Sequence, residues 1–306
     1  MSSLGRRQFT AGLGLGMSLA GSGLTARTAS GATPAAAQAI PRTLPMPNPQ
    51  FNLRSWARLN ADLSGRTLYT CMTGMVFGFL PQADDITLAA FGRRLYGYAS
   101  LTARKVLVAK EDEIRFMAQS WNCYTDASSG AFIDALLNPY TEKLVRCAPR
   151  ASPAGEQVQG LEGLNLASAP FPVESSQAGR PLELHYSTIG DHVWIRREGF
   201  TRFHPADTTW FKLEADFLTH SARLADLLEP DLDHVPNECQ HNLVAEWQTW
   251  MNMHGSPGHI LFVGAGAHLG DPADVPPVLA QMIATRFPGT LDATRNWSSH
   301  GRNRRT

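Results

Sequence analysis

Alternation of apolar and polar residues, with many aromatic and β-branched side chains, is the dominant pattern from Arg66 to Cys147. A period of two residues is typical of β-strands that bury one face. The pattern predicts strands at residues 67–80, 91–100, 103–110, 113–124 and 141–147. Turn residues join consecutive strands, as at Glu111-Asp112 and between Asp126 and Gly130. We therefore expect an antiparallel meander.

The second half of the chain continues this pattern after a long interruption. Residues 149–181 are rich in Pro, Ala, Gly and Ser without periodicity, which predicts a long surface loop. Strands are predicted at residues 182–189 and 192–199, around the hairpin turn Gly190-Asp191, and at residues 208–215. Helical spacing of apolar residues then predicts helices at residues 217–228 and 275–286.

Sequential antiparallel strands followed by a few helices predict a mainly β, α+β fold. We expect a single domain over residues 38–306, built as an antiparallel β-barrel or strongly curved sheet of lipocalin-like design with C-terminal helices. A two-sheet sandwich is the alternative. A barrel of about eight to ten strands has room inside for one small ligand.

The N-terminus has the three parts of a twin-arginine signal peptide in the required order. Arg6-Arg7 precede a glycine-broken apolar stretch at residues 11–24, and small residues follow at Ala35-Ala36-Ala37. This stretch is too short and too rich in glycine for a membrane span. We therefore expect residues 1–37 to be removed by the twin-arginine export machinery and the mature protein to be periplasmic or secreted, without a membrane span; an uncleaved anchor is the alternative.

Composition narrows the range of partners and cofactors. The whole chain has 27 basic and 27 acidic residues, and removing residues 1–37 takes away three arginines, so nothing indicates a nucleic-acid partner. The four cysteines lie far apart, which disfavours a cysteine metal site and leaves both disulfides and free thiols open: Cys71, Cys123, Cys147 and Cys239. The phosphate loop, the nucleophile elbow and the dinucleotide fingerprint are missing from the sequence, so we expect no cofactor.

The predicted hairpin at residues 182–199 carries the first candidate site. The turn places Ser187 opposite Trp194 and His185 opposite Arg196 on one face. The other face is predicted to be core and carries apolar side chains: Leu184, Tyr186, Val193 and Ile195. The polar face could line a cavity, where Trp194 stacks on a ring and His185 transfers protons near neutral pH. A solvated outer surface is the alternative interpretation.

A second candidate lies at residues 246–259. Trp247 and Trp250, with two nearby methionines, could form a wall for a flat hydrophobic ligand or serve as core beneath the last helix. His254 lies just beyond them, and all ten histidines of the chain follow residue 184. The spacing of these histidines is a weak metal signal, so we assign no metal ligands.

Three segments resemble the family known as domain of unknown function 1838. They are Arg54-Ser55-Trp56-Ala57-Arg58-Leu59, Asn138-Pro139-Tyr140-Thr141, and Trp247-Gln248-Thr249-Trp250-Met251-Asn252-Met253 with Pro257-Gly258 after it. The family usually has Gly-Glu after the second segment, where this chain has Glu142-Lys143. The resemblance implies a single exported domain and directs attention to Arg58, Tyr140, Trp247 and Trp250, and it implies no activity.

These observations lead to three functional hypotheses. The first is a β-barrel that encloses a small apolar or aromatic molecule and performs cofactor-independent lyase or isomerase chemistry. His185 or His254 would act as the base and Arg196 or Arg58 would hold an anionic group; the walls would come from Trp194, Trp247, Trp250 and Tyr140. The second is a non-catalytic, lipocalin-like carrier, and the third is a histidine-rich metalloprotein.

Overall fold

The computed structural model describes residues 48–81, 92–165, 173–203 and 212–297. The predicted signal peptide and the first residues of the strand predicted at 208–215 lie outside these ranges. The described helices are α1 (Pro49–Asn60), α2 (Leu224–Leu228), α3 (Pro277–Arg286) and α4 (Thr290–Ala293). The strands are β1 (Leu68–Phe79), β2 (Arg93–Ala109), β3 (Glu113–Thr125), β4 (Ala135–Asn138), β5 (Lys143–Arg146), β6 (Arg150–Ala151), β7 (Gly155–Gly160), β8 (Gly163–Asn165), β9 (Val173–Ser175), β10 (His185–Ile189), β11 (His192–Phe203), β12 (Lys212–Arg223), β13 (Asn237–Ala245) and β14 (His259–Leu269).

Ten of these strands form one curled antiparallel sheet in the order β10-β11-β12-β13-β14-β1-β2-β3-β7-β8. Strand β6 pairs with β3 and β9 pairs with β11, while β4 and β5 form a separate hairpin. Strand β14 pairs along the length of β1, so the late strands join the early meander in the middle of the sheet. The half-barrel with a few short late helices confirms the predicted mainly β fold class, and it fits the lipocalin-like design.

The predicted elements need three corrections. The strands expected at residues 91–100 and 103–110 are one strand, β2, because its pairing with β1 continues through Leu101. The helix expected at residues 217–228 is wrong for its first part, since β12 extends to Arg223. Leu218, His220 and Ala222 also fit a period of two, and pairing with β11 and β13 on both sides favours the strand. Strands β13 and β14 and helix α1 are additions to the predicted set.

The stretch at residues 149–181 contains strands where a surface loop was expected. Its strands β7 and β8 extend one edge of the sheet, and β9 pairs with β11 near the other edge. The segment after β9 contacts both sides, because Leu164 N donates to Gln177 O at 2.8 Å and Ser176 N donates to Phe200 O at 3.0 Å. This segment therefore bridges the two edges of the half-barrel.

Helix α1 fills one end of the half-barrel. Its start is stabilised by Asn48, whose Oδ1 accepts a hydrogen bond from Phe51 N at 2.8 Å, and by Pro49 in the first turn. Trp56 and Leu59 pack against β11 and the segment around α2. Polar residues such as Asn60 are buried along the same helix, so α1 lacks the simple apolar stripe by which sequence analysis recognises a helix.

A second apolar cluster closes the other end of the half-barrel. It combines Tyr96, Tyr124 and Phe262 from the sheet with Trp247 and Met251 from the segment between β13 and β14. A third cluster lies on the outer face of β1–β3, where α3 covers buried side chains such as Leu101 and Trp121. Between the two end clusters, the inner face of the sheet is largely polar, and the cavity lies there.

Candidate functional site

The hairpin face predicted as a possible cavity wall is the outer face of the sheet. His185 and Arg196 are paired residues on β10 and β11, as predicted, and both side chains are exposed. Arg196 forms an ion pair with Glu198 at 2.8 Å, and Trp194 is half-buried beside His192. The expectation that this face lines a cavity is corrected, because Val193 and Ile195 on the other face pack into the core under α1.

Arg58 and His254 do not lie in the cavity either. The Arg58 guanidinium is buried and donates hydrogen bonds to the backbone carbonyls of four residues in and after α2: Asp226, Leu227, Glu229 and Leu232. Burial is the main cause that lowers the pKa of Arg58. His254 is exposed in the segment between β13 and β14. Arg58 therefore joins α1 to the following segment, and a role in holding an anionic ligand is not supported.

The other three aromatic residues predicted to bind substrate, Trp247, Trp250 and Tyr140, belong to the end cluster. Trp247 is buried, its Nε1 donates to Ser256 O at 3.2 Å, and its ring meets that of Tyr140 at a centroid distance of 5.3 Å. Trp250 packs against Tyr96 and Tyr124 at centroid distances of 5.2 and 5.3 Å. These side chains do not line the cavity. They belong to the core, as the alternative interpretation of this segment proposed.

The cavity inside the half-barrel has two adjoining compartments. The inner compartment has a volume of about 380 Å³ and lies against the aromatic end cluster. The outer compartment has a volume of about 780 Å³ and extends toward β7, β8 and the segment after β9. Both volumes fall in the range of small-molecule sites. The residues that line both compartments include Asn60, Ser120 and five side chains able to carry charge: Arg104, Arg197, Glu214, Asp216 and His241.

Arg104 lies at this junction, on the inner face of β2. Its Nη1 donates a long hydrogen bond of 3.4 Å to Asn60 Oδ1, and no described carboxylate forms an ion pair with it. Burial, with a smaller contribution from the nearby Arg197, lowers the pKa of Arg104 to about 10. A desolvated guanidinium without a carboxylate partner is unfavourable in the empty protein and attracts an anionic group.

The acidic side chains at the junction already have basic partners. Arg197 donates from Nη2 to Asp216 Oδ2 between neighbouring strands β11 and β12. Its guanidinium also stacks over the Trp56 ring at 4.5 Å from the centroid. Glu214 accepts a hydrogen bond from Lys212 Nζ at 2.7 Å. Arg104 is thus the junction cation whose charge stays uncompensated by the described carboxylates.

A fixed hydrogen-bond network connects Arg104 to His220. Asn237 Nδ2 donates to the carbonyls of Leu59 and Val235, which leaves Asn237 Oδ1 to accept from His220 Nδ1 at 2.8 Å. His220 Nε2 then accepts from Asn60 Nδ2 at 3.3 Å. The network assigns the neutral Nδ1–H tautomer, and burial lowers the pKa of His220 to about 4. His220 positions Asn60, and through it Arg104.

His241 is the histidine that faces both compartments. Burial is the largest cause that lowers its pKa, with the nearby Asp216 acting in the opposite direction. A neutral imidazole at this position can accept a proton from a bound molecule. Two further half-buried histidines, His234 and His268, pack against each other at a centroid distance of 5.4 Å on the α1 side.

Tyr98 places a hydroxyl group beside His241. Its ring lies across two glycines of neighbouring strands: a Cβ atom on Gly74 would lie 2.6 Å from Tyr98 Cε1, and one on Gly264 would lie 2.0 Å from Tyr98 Oη. Gly264 is the cross-strand partner of His241, so the hydroxyl lies next to that position. Tyr98 Oη is buried without a hydrogen-bond partner in the described structure, and burial raises its pKa to about 12. It is therefore a neutral donor.

The chargeable residues of the junction lie on four strands, β2, β11, β12 and β13, and sequence reasoning missed them. One signal was present: Arg197 continues the alternation of Val193 and Ile195, whose burial was predicted, so it belongs on the inner face. Arg104 and His241 carry no comparable local signal.

The described residues form no disulfide, no metal-binding cluster and no membrane-spanning helix. All four cysteines are free thiols, which resolves the alternatives left open by their spacing. Within the described ranges, no group of three or more His, Cys, Asp or Glu side chains is arranged to hold a metal ion. The described helices include none that is long and apolar enough to cross a bilayer.

Comparison with known proteins identifies the family to which the chain is similar. A sequence model of the family described as "Protein of unknown function (DUF1838)" matches residues 65–303, which include the second and third of the motifs that suggested the resemblance. The predicted resemblance is confirmed. No curated protein matches the chain.

Proposed function

The chain belongs to the DUF1838 family, whose description assigns no function, and we propose from the cavity that it binds a small molecule combining an anionic group with an apolar or aromatic body. The observation that carries this proposal is Arg104, a desolvated guanidinium at the centre of the cavity without an ion-pair partner among the described carboxylates. A carboxylate or similar anion would supply the missing charge and hydrogen bonds.

The inner compartment supports the second half of this proposal. Its wall includes Tyr98, Tyr124 and Phe262 from three strands, together with Met72 and Leu243. Aromatic and thioether side chains provide a broad apolar surface for a planar ring. A volume of about 380 Å³ accommodates a ring with short substituents while its anionic group reaches Arg104.

A pair of probes with the same shape and different charge tests the proposal. We expect 4-nitrobenzoate to bind the mature protein at least about tenfold more tightly than 4-nitrobenzamide, because the two differ mainly in the charge that Arg104 recognises. Isothermal titration calorimetry measures both affinities. Equal affinities, or no binding of any of several aromatic carboxylates, would contradict the proposal.

Cofactor-independent proton transfer on the bound molecule is the second candidate, and the pairing of His241 with Tyr98 favours it. His241 would take a proton from a carbon next to a carbonyl group, and the Tyr98 hydroxyl would donate a hydrogen bond to the enolate oxygen that forms. Return of the proton to the same or a neighbouring carbon completes an isomerisation without a further reactant. A carrier would need neither group.

Deuterium exchange separates the enzyme from the carrier. We expect the protein to accelerate exchange of the C3 protons of phenylpyruvate with deuterated solvent, as measured by NMR, and His241→Gln to reduce the rate to that of buffer. Binding of 4-nitrobenzoate should change less than about threefold in the same variant, because Arg104 is intact. Exchange at the buffer rate with the wild-type protein would favour the carrier.

We further propose that this binding takes place outside the cytoplasm after twin-arginine export. The residue pattern at positions 1–37 carries this part of the proposal. The four free thiols support it, since three of them are buried and burial raises their pKa to about 11: Cys123, Cys147 and Cys239. Such thiols are suited to a chain that folds in the reducing cytoplasm before export.

A further inference from the structure

The outer compartment contains a buried amide group that has no partner in the described protein. Gln159 on β7 is only 4% exposed, and its Nε2 atom has no hydrogen-bond partner among the described residues. Gln159 is paired with Ile114 of β3. Gln157 is paired with Phe116 of the same strand, whose side chain lines the compartment. Because paired residues share a face, Gln157 and Gln159 point into the cavity. An unsatisfied buried donor there requires an acceptor.

Other uncharged polar groups surround this position. Gln119 lines the same compartment and donates from Nε2 to Ser152 O at 3.2 Å, which holds its amide in place. Gln177, in the segment that bridges the sheet edges, lies over Gly199, where an added Cβ would be 2.6 Å from Gln177 Nε2. These side chains come from both edges of the half-barrel, so the compartment presents amide groups from opposite sides.

Outside the junction, the outer compartment has few charged side chains. The charged lining residues are those of the junction, Arg104, Arg197, Glu214 and Asp216, with Glu156 in addition on the exposed part of β7. Apart from His241 at the junction, the rest of the described lining is amide, hydroxyl and apolar, including the buried ring of Phe116. Amide groups that can both donate and accept, next to an apolar ring face, match the hydroxyl groups and the C–H face of a sugar or another polyol.

We propose that the outer compartment is a second subsite, which takes an uncharged, hydroxyl-bearing part of the ligand and donates a hydrogen bond to it from Gln159. This inference rests on the proposed function, since Arg104 holds the anionic group of the same molecule at the junction. The ligand class is therefore an aromatic or apolar anion joined to a sugar-like group.

Matched probes test the subsite separately from the anion site. The 4-O-β-D-glucosides of caffeate and of 4-hydroxybenzoate keep the carboxylate of the aromatic part and add an uncharged sugar. Their partners without the sugar are caffeate and 4-nitrobenzoate, in which a nitro group takes the place of the sugar. We expect at least one hydroxylated anion to bind about tenfold more tightly than its partner, because one of its hydroxyl groups accepts the hydrogen bond that the buried Gln159 amide donates. Isothermal titration calorimetry gives the four affinities, and 4-nitrophenyl β-D-glucoside shows what the carboxylate adds.

Gln159→Leu removes the unpartnered donor and keeps a similar volume. In this variant the advantage of the hydroxylated anion should disappear, while the affinity for caffeate and 4-nitrobenzoate stays within about twofold. Gln240→Leu is the matched control, because Gln240 is exposed on β13 on the opposite face from Cys239 and His241, and it should change neither affinity. Thermal unfolding of each variant shows that the fold is retained, and Gln159→Ser provides a second variant if the leucine substitution prevents folding.

The outcomes distinguish the two proposals. If caffeate and 4-nitrobenzoate bind but neither hydroxylated anion binds more tightly, the subsite is overturned and the anion site stands. If the advantage is seen but survives in Gln159→Leu, the assignment to Gln159 is overturned. If no anion binds to the wild-type protein, the proposed function itself fails.

Discussion

Replacement of Arg104 by methionine is expected to abolish anion binding and at the same time to stabilise the fold. Burial lowers the pKa of Arg104 to about 10 from 12.5, so the charged form destabilises the folded state at every pH below about 10. Methionine has a similar length and no charge. After allowance for water within the cavity, we expect a gain of about 2 kcal/mol in the free energy of unfolding, or roughly 4 °C in Tm.

Binding should change in the opposite direction. The affinity for 4-nitrobenzoate should fall at least about thirtyfold, because Arg104 supplies the charge-assisted hydrogen bonds at the junction. Arg196→Met is the matched control: Arg196 is exposed on the outer face and pairs with Glu198, so both affinity and Tm should stay close to wild type. Calorimetric titration and differential scanning calorimetry measure the two effects. A variant of Arg104 that still binds the anion, or an equal loss in Arg196→Met, would place the site elsewhere.

Replacement of Arg58 by methionine is expected to have the largest cost in stability. Its guanidinium is buried and serves the backbone carbonyls of four residues, Asp226, Leu227, Glu229 and Leu232. Methionine would leave these acceptors without their donor, and α1 would lose its attachment to the segment after α2. We expect the free energy of unfolding to fall by about 3 kcal/mol or more, measured by urea unfolding.

The same helix provides the control for this prediction. Arg54 is exposed and makes one hydrogen bond, from Nη2 to Pro230 O at 2.8 Å. Arg54→Met should therefore cost less than about 1 kcal/mol. If the two variants lose the same stability, or if Arg58→Met weakens 4-nitrobenzoate binding without unfolding the protein, Arg58 has the ligand-binding role first expected for it.

The local pattern of the sequence determined much of the sheet. Strand β3 begins at Glu113 as predicted, and the hairpin around Gly190-Asp191 has the predicted register, with His185 opposite Arg196. A two-residue turn fixes the pairing of its own strands, so this register depends on neighbours in sequence alone. The buried face of the hairpin was also predicted, since Val193 and Ile195 are apolar and buried.

The local sequence pattern did not identify the candidate site. Alternation placed Arg197 on the same face as Val193 and Ile195, but it could not show that this face encloses a cavity next to the core. The spacing of apolar residues at 217–228 fits both a helix and a strand. Pairing with β11 and β13 on both sides selects the strand for the first part of this segment.

The sequence by itself determined the β class, the hairpin and its register, and membership of the family, because these depend on residues that are adjacent along the chain. Only the tertiary structure decided which face is enclosed. The curl of the sheet and the packing of α1 at one end bring Arg104, Arg197 and His241 together from three separate strands. Their burial in one cavity, which no single strand encodes, creates the uncompensated charge on which the proposed function rests.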